Sequence, residues 1–262
     1  MKFGMPTLIE LSSIEECAAL CHDTGLEFVE LNMNLPQFQI QNIDIDYLKH
    51  ISDAYGIGYT IHLDENLNIS DFNPYVSEAY VKTVSDTIAL AKVLGIPVLN
   101  MHLSLGVYFT MPTEKVYLFE KYKEQYLKTI YDFRAMCENA IGDANIKICI
   151  ENCNGYPDFQ KEALGILLES DVFGLTFDIG HNHSCGGLDE PYIIENKSKL
   201  CHMHLHDAIG KKHHMPLGLG ELDLNNYLNL ARDCDCSVVV EVKTTEGLKS
   251  SIAWMKNNGW MK

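Results

Sequence analysis

Eight short runs rich in Val, Ile, Leu, Phe and His recur along the 262 residues, each followed by a stretch of helical periodicity. They occupy residues 2–8, 28–33, 58–63, 97–103, 147–152, 173–179, 200–206 and 237–242. Strand alternating with helix eight times calls for a parallel sheet with both faces covered. Closure into a (β/α)8 barrel is the simplest solution, because eight strands close on themselves and leave no edge. The alternative is an open doubly wound sheet, but no Gly-x-Gly-x-x-Gly turn follows the first run and the count of eight suits closure.

The helical segments carry their own boundary signals. Ser12 or Ser13 caps the first, Glu15 and Glu16 fill its opening turn, and Gly25 stops it. A second spans residues 43–55 and ends at Gly56, and a third spans 74–94, with Asn73 as cap, Pro74 at the first helical position and Gly95 as stop. Further helices are expected over residues 113–140, the longest, then 157–168, 190–198, 224–233 and 246–257. No Pro/Gly-rich linker or low-complexity tract interrupts the alternation. Residues 1–262 therefore read as one domain, of a length that closed α/β barrels commonly reach.

In such barrels chemistry gathers at the C-terminal ends of the strands, while the opposite rim serves stability. The run ends here carry Glu30, His62, His102, Glu151, Asp178, His204 and Glu241. A structural core has little use for them, since buried carboxylates are expensive unless paired or bound to a cation. Glu151, Asp178, His204 and Glu241 close the last four runs in succession. Three carboxylates and an imidazole converging on one side of a mouth would repel one another without a dication among them. Oxygen and nitrogen donors suit Mn2+, Mg2+, Co2+ or Zn2+. Taken singly, each residue reads equally well as a salt-bridged or solvated rim group; four at matching strand ends make one divalent metal ion the economical reading. Alternation along the seventh run puts His202, His204 and His206 on one face.

Charge narrows the substrates. Lys plus Arg number 20 against 36 Asp plus Glu, a formal charge of -16. Grip on a phosphodiester backbone normally needs a basic face, so nucleic acid is disfavoured as a partner. The nine cysteines are odd in number, contain no Cys-x-x-Cys pair and fall mostly inside predicted elements. With no secretory leader ahead of the first strand, the expectation is reduced thiols in a cytoplasmic protein. No apolar stretch approaches the roughly 18 to 20 residues of a membrane span, so no membrane is expected as a partner. The oligomeric state is not specified by any of these features.

The motifs in order are Phe28-Val29-Glu30-Leu31, Tyr59-Thr60-Ile61-His62, Asn100-Met101-His102, Ile150-Glu151-Asn152, Phe177-Asp178-Ile179-Gly180-His181, His202-Met203-His204-Leu205-His206-Asp207, Leu217-Gly218-Leu219-Gly220-Glu221-Leu222-Asp223 and Val240-Glu241. Their order and strand placement resemble the xylose isomerase-like TIM barrels, which join sugar isomerases and epimerases with the endonuclease IV group of AP endonucleases. The resemblance covers essentially the whole chain and implies an α/β fold, the (β/α)8 TIM barrel. It implies that Glu151, Asp178, His204 and Glu241 hold the shared divalent metal and that Glu151 and Glu241 act as the acid/base pair. One Glu takes a proton from the carbon beside a carbonyl, the other returns it, and the cation stabilises the enediolate between. His181 resembles a histidine that contacts substrate oxygen near the metal.

The endonuclease-like members bind three zinc ions. By resemblance, His62 and His102 match the two histidines that complete a first zinc site with Glu151, and His181 and His214 match two ligands of a third. The remaining ligand of that third site is an aspartate two residues before the second histidine, where this chain has Lys212. An ammonium group cannot coordinate zinc and opposes a dication beside it. A multi-zinc site is thereby disfavoured, and His62, His102, His181 and His214 read as substrate-binding groups or ligands of a second metal. Lys212 is a candidate for receiving a phosphate or carboxylate of a small substrate, or else a solvated loop lysine. Glu30 is a candidate for binding a sugar hydroxyl, or else a structural rim carboxylate.

The leading functional reading is therefore a divalent-metal-dependent isomerase or epimerase of a small sugar, sugar acid or sugar phosphate. The alternative is a zinc-dependent AP endonuclease, favoured by the rim histidines and opposed by the charge and by Lys212. A barrel that only binds a ligand or partner is opposed by the retained ligand-type residues.

Overall fold

A computed structural model describes residues 1–262. The runs form eight parallel strands, β1 Lys2–Pro6, β2 Phe28–Asn32, β3 Gly58–His62, β4 Val98–His102, β5 Lys147–Glu151, β6 Phe173–Asp178, β7 Leu200–Leu205 and β8 Ser237–Val240. Each pairs with its neighbour in chain order and β8 pairs with β1, which closes the barrel. Every strand stops one or two residues short of its run, because the chain there turns into the loops that build the mouth. The (β/α)8 expectation holds.

Around the barrel lie α1 Ile14–Thr24, α2 Ile45–Tyr55, α3 Pro74–Leu94, α4 Lys123–Ile141, α5 Asp158–Leu168, α6 Ile179–Ser184, α7 Glu190–Glu195, α8 Leu224–Asp233 and α9 Thr245–Asn257. The capping residues act as their chemistry dictates. The Ser13 side chain accepts from the Glu16 N–H and Asn73 from the Tyr75 N–H, satisfying donors that the first helical turn leaves free. No helix is long and apolar enough to cross a membrane. All nine cysteines are unpaired, five of them buried.

The helix expected over residues 113–140 is a correction. Its first part is an antiparallel hairpin, Tyr108–Thr110 against Lys115–Tyr117, followed by a single helical turn at Leu118–Lys121 before α4 begins. The aromatic and β-branched residues flanking Pro112 favour paired strands over a helix. Phe119 then stacks on Tyr126 at 4.4 Å between ring centroids and anchors the junction. A second departure is α6, which follows β6 without a loop because the Asp178 side chain caps it, Oδ1 accepting from the His181 N–H at 2.6 Å.

Two buried aspartates tie down the mouth loops. Asp207 accepts backbone N–H bonds from Ala208, Gly218, Gly220 and Leu222 at 2.8 to 3.2 Å. Gly220 has no room for a side chain, since a Cβ would lie 2.2 Å from Asp207 Oδ1. Asp189 accepts from Gly155 N at 3.1 Å and Tyr156 N at 2.8 Å, joining the loop after β5 to the one after β6. The barrel interior is polar toward its C-terminal end, where Glu30, Thr60, Asn100, Glu151, Thr176, Asp178, His202 and His204 are all buried.

Candidate metal centre

Glu151 ends β5, Asp178 ends β6, His204 lies next to last on β7, and Glu241 follows β8. Their last inward-facing atoms meet above the barrel axis. His204 Nδ1 stands 3.4 Å from Glu151 Oε2, 3.9 Å from Asp178 Oδ2 and 3.1 Å from Glu241 Oε2. One oxygen or nitrogen each from Glu151, Asp178 and His204 falls within a mutual 4.8 Å. Despite these short approaches, His204 Nδ1 and Glu241 Oε2 are enclosed and have no partner in hydrogen-bonding geometry. Atoms that crowd together while pointing past one another fit a shared cation better than mutual hydrogen bonds.

The electrostatics agree. Burial alone would raise the carboxyls of Glu151 and Glu241, but His204 beside both holds them well below the ordinary range. Burial would lower His204; Glu151, Glu241 and Glu30 hold it well above instead. Without an ion, the buried His204 imidazole is the group that compensates the surrounding carboxylates; a dication held by these residues would supply that positive charge instead.

Both flanking histidine pairs reach the same cavity. His62 Nε2 is 3.4 Å and His102 Nε2 3.2 Å from Glu151 Oε2, so the three offer donors to one point. Burial opposes protonation of His62, yet contact with Glu151 raises it to about 9. His181 Nδ1 lies 3.3 Å from Glu151 Oε1 and 3.4 Å from Asp178 Oδ2, and against its burial these carboxylates raise it to about 9. His214 sits at φ 56° on the hairpin after β7, held there by donation from its N–H to His206 Nδ1 at 2.9 Å. Burial outweighs Glu241 and takes His214 down to about 4. His206 reaches Asp178 Oδ1 with Nε2 at 3.0 Å.

One residue stands elsewhere than the strand-end reading places it. Glu30 is enclosed one layer below the rim and 2% exposed, with Oε2 accepting from Thr60 Oγ1 at 2.9 Å and lying 3.0 Å from His202 Nε2. Its Oε1 is 3.0 Å from His204 Nε2, so it faces the underside of the cluster and not the mouth. The cause is register: Glu30 pairs with Thr60, two residues before the end of β3. Lys212 is exposed on the hairpin, and its neighbour His213 turns inward, bringing a ring nitrogen within 4.8 Å of those of His181 and His214. The cation at the mouth is instead Lys243, with Nζ 3.3 Å from Glu241 Oε1.

A cavity of about 410 Å3 opens over the cluster, walled by His62, His102, Glu151, His181, His214 and Glu241, with Asn154 and Lys243 at its edge. That volume suits a small molecule. Sequence reasoning missed Asn100, Thr176 and Lys243, while His213 reads from the sequence only as one of several histidines crowding the mouth loops. Period-two spacing was the available signal: Asn100 and Thr176 stand two residues before His102 and Asp178 on the same inward faces, and Lys243 two after Glu241.

Known proteins share this architecture. Two uncharacterized proteins of Methanocaldococcus jannaschii are similar in sequence, one 26% identical over 243 residues, covering 89% of this chain and 84% of its own. The other is 26% identical over 264 residues, covering 93% and 83%. Among solved structures, a D-tagatose 3-epimerase-like protein superposes with a TM-score of 0.78 at 24% identity over 99% of this chain and 97% of its own. The 3-keto-D-glucoside 4-epimerase of E. coli gives 0.77 at 16% identity over 98% and 99%. A probable 3-DHS dehydratase of Bacillus anthracis gives 0.73 at 15% over 98% and 99%, so one fold spans different reactions. The profile of one family matches residues 18–258, and the chain belongs to the xylose isomerase-like TIM barrels.

Proposed function

We propose that this protein is a divalent-metal-dependent isomerase or epimerase of a small sugar, sugar acid or sugar phosphate. The observation that carries the reading is the pair Glu151 and Glu241, whose Oε2 atoms lie 3.4 and 3.1 Å from His204 Nδ1 and which both line a cavity of about 410 Å3. Glu151, Asp178, His204 and Glu241 are the residues to hold the ion, which would supply positive charge where an enediolate develops. One glutamate removes the proton from the carbon beside the substrate carbonyl and the other delivers it, to the opposite face when the outcome is epimerisation. His181 and the histidines His62 and His102 bind substrate oxygens, and their enclosure limits water at the reacting carbon. Lys243 offers a cation for an anionic substituent; the exposed Lys212 is a weaker candidate.

The test is wash-in of solvent deuterium at carbon in a panel of ketoses and their phosphates, with metal content measured on protein purified without chelator. The reading expects about one Mn, Co, Mg or Zn per chain. Glu151→Gln and Glu241→Gln should each slow exchange by about 100-fold or more. Exchange undiminished in both variants would refute the two-glutamate mechanism. A second reading, a zinc-dependent hydrolase of the endonuclease IV kind, is favoured by the donor groups His62–His102–Glu151 and His181–His213–His214. About three zinc ions per chain would put it first.

A further inference from the structure

Beneath Glu151 the barrel interior holds a two-residue hydrogen-bonded prop that neither metal ligation nor substrate contact accounts for. Thr176, in mid-β6, donates its hydroxyl to Asn100 Oδ1 at 2.6 Å, and Asn100, in β4, donates its amide to Glu151 Oε2. Both residues are wholly buried, so no water competes for either bond. The arrangement has a direction. An amide can present either its oxygen or its NH2 to Glu151, and the wrong choice sets oxygen against carboxylate. The carboxylate only accepts, so the NH2 faces Glu151, and the Thr176 hydroxyl donates to the Oδ1 on the other side and holds the amide in that orientation.

The consequence lies in the roll of the Glu151 carboxylate. With Oε2 held by Asn100, that oxygen stays 3.2 to 3.4 Å from His102, His62 and His204, while Oε1 is turned to His181, 3.3 Å away. We propose that Asn100 and Thr176 are positioning residues, which orient the Glu151 carboxylate for its task as ligand and proton carrier. This rests on the metal-site reading above. Neither residue touches the cavity, so both act only through Glu151.

The closing experiment compares Thr176→Val with Thr176→Ser in the full chain. Valine keeps the shape and loses the hydroxyl; serine keeps the hydroxyl and loses a methyl group. Chelator-stripped proteins are titrated with Co2+ by calorimetry and followed by their visible spectra. Thr176→Val should bind about tenfold or more weakly with an altered spectrum, the loss typical when a ligand's supporting hydrogen bond goes. Thr176→Ser should bind as the parent does. A packing role predicts the reverse order, so serine weaker than valine overturns the proposal, as does unchanged affinity in both. A parent protein that binds no Co2+ overturns the metal-site reading and this one with it; a parent that binds while Thr176→Val binds equally overturns this one alone.

Discussion

Gly180→Ala sets local propensity against tertiary packing, and the two predict opposite signs. Gly180 lies in the first turn of α6, where helix propensity alone would credit alanine with about 0.5–1 kcal/mol over glycine. A Cβ at this position, however, would stand 1.9 Å from His206 Cε1 and 2.4 Å from its Nδ1. The ring has nowhere to go. His206 is wholly buried, its Nε2 lies 3.0 Å from Asp178 Oδ1, and its Nδ1 accepts from the His214 N–H at 2.9 Å. Overpacking against an immobile group costs about 1–3 kcal/mol, and a contact this short belongs at the upper end. The net expectation is destabilisation by about 2–2.5 kcal/mol, or roughly 4–10 °C in Tm at this chain length. Calorimetric melting of chelator-stripped protein reads it directly, and metal affinity should fall too because His206 is pushed from Asp178. An alanine variant that melts higher than the parent would show that His206 is not fixed over Gly180, and the argument would fail.

Asp207→Asn replaces an acceptor of four backbone N–H bonds with a group that turns NH2 toward some of them, at a cost of about 1–3 kcal/mol. Its readout is faster tryptic cleavage after Lys211 and Lys212, and unchanged cleavage would contradict the pinning role. For pH, His62 and His181 are raised to about 9 in the folded metal-free protein. The folded state therefore binds more protons than the unfolded chain, and the stability they contribute is full below about 6.5 and lost as pH rises through about 9. Metal-free protein should melt progressively lower across that window while metal-loaded protein does not; a flat profile for the stripped protein would count against the charged cluster.

The strand–helix alternation was legible because each element carries a local signal: period-two apolar runs, Asn73 and Pro74 at the start of α3, Gly25 and Gly95 as stops. The four ligand-type residues were legible for the same reason, since parallel strands in register bring their C-terminal ends to one rim, and position along a strand becomes position in the site. The segment before α4 was not, because its pairing of Tyr108 with Tyr117 is a contact between strands that helical periodicity imitates in one dimension.

The sequence by itself determined the barrel and which side chains could reach its mouth. Depth and direction were decided only by the tertiary structure. Glu30, two residues before the end of β2, lies below the rim, whereas Glu151, the last residue of β5, lies on it, although both are acids in strand-like runs. Hairpin geometry turns His213 inward and Lys212 outward although they are adjacent. The prop from Thr176 through Asn100 to Glu151 joins three strands separated by up to 76 residues in the chain. Such contacts depend on the angles at which distant strands meet, and no local propensity encodes those angles.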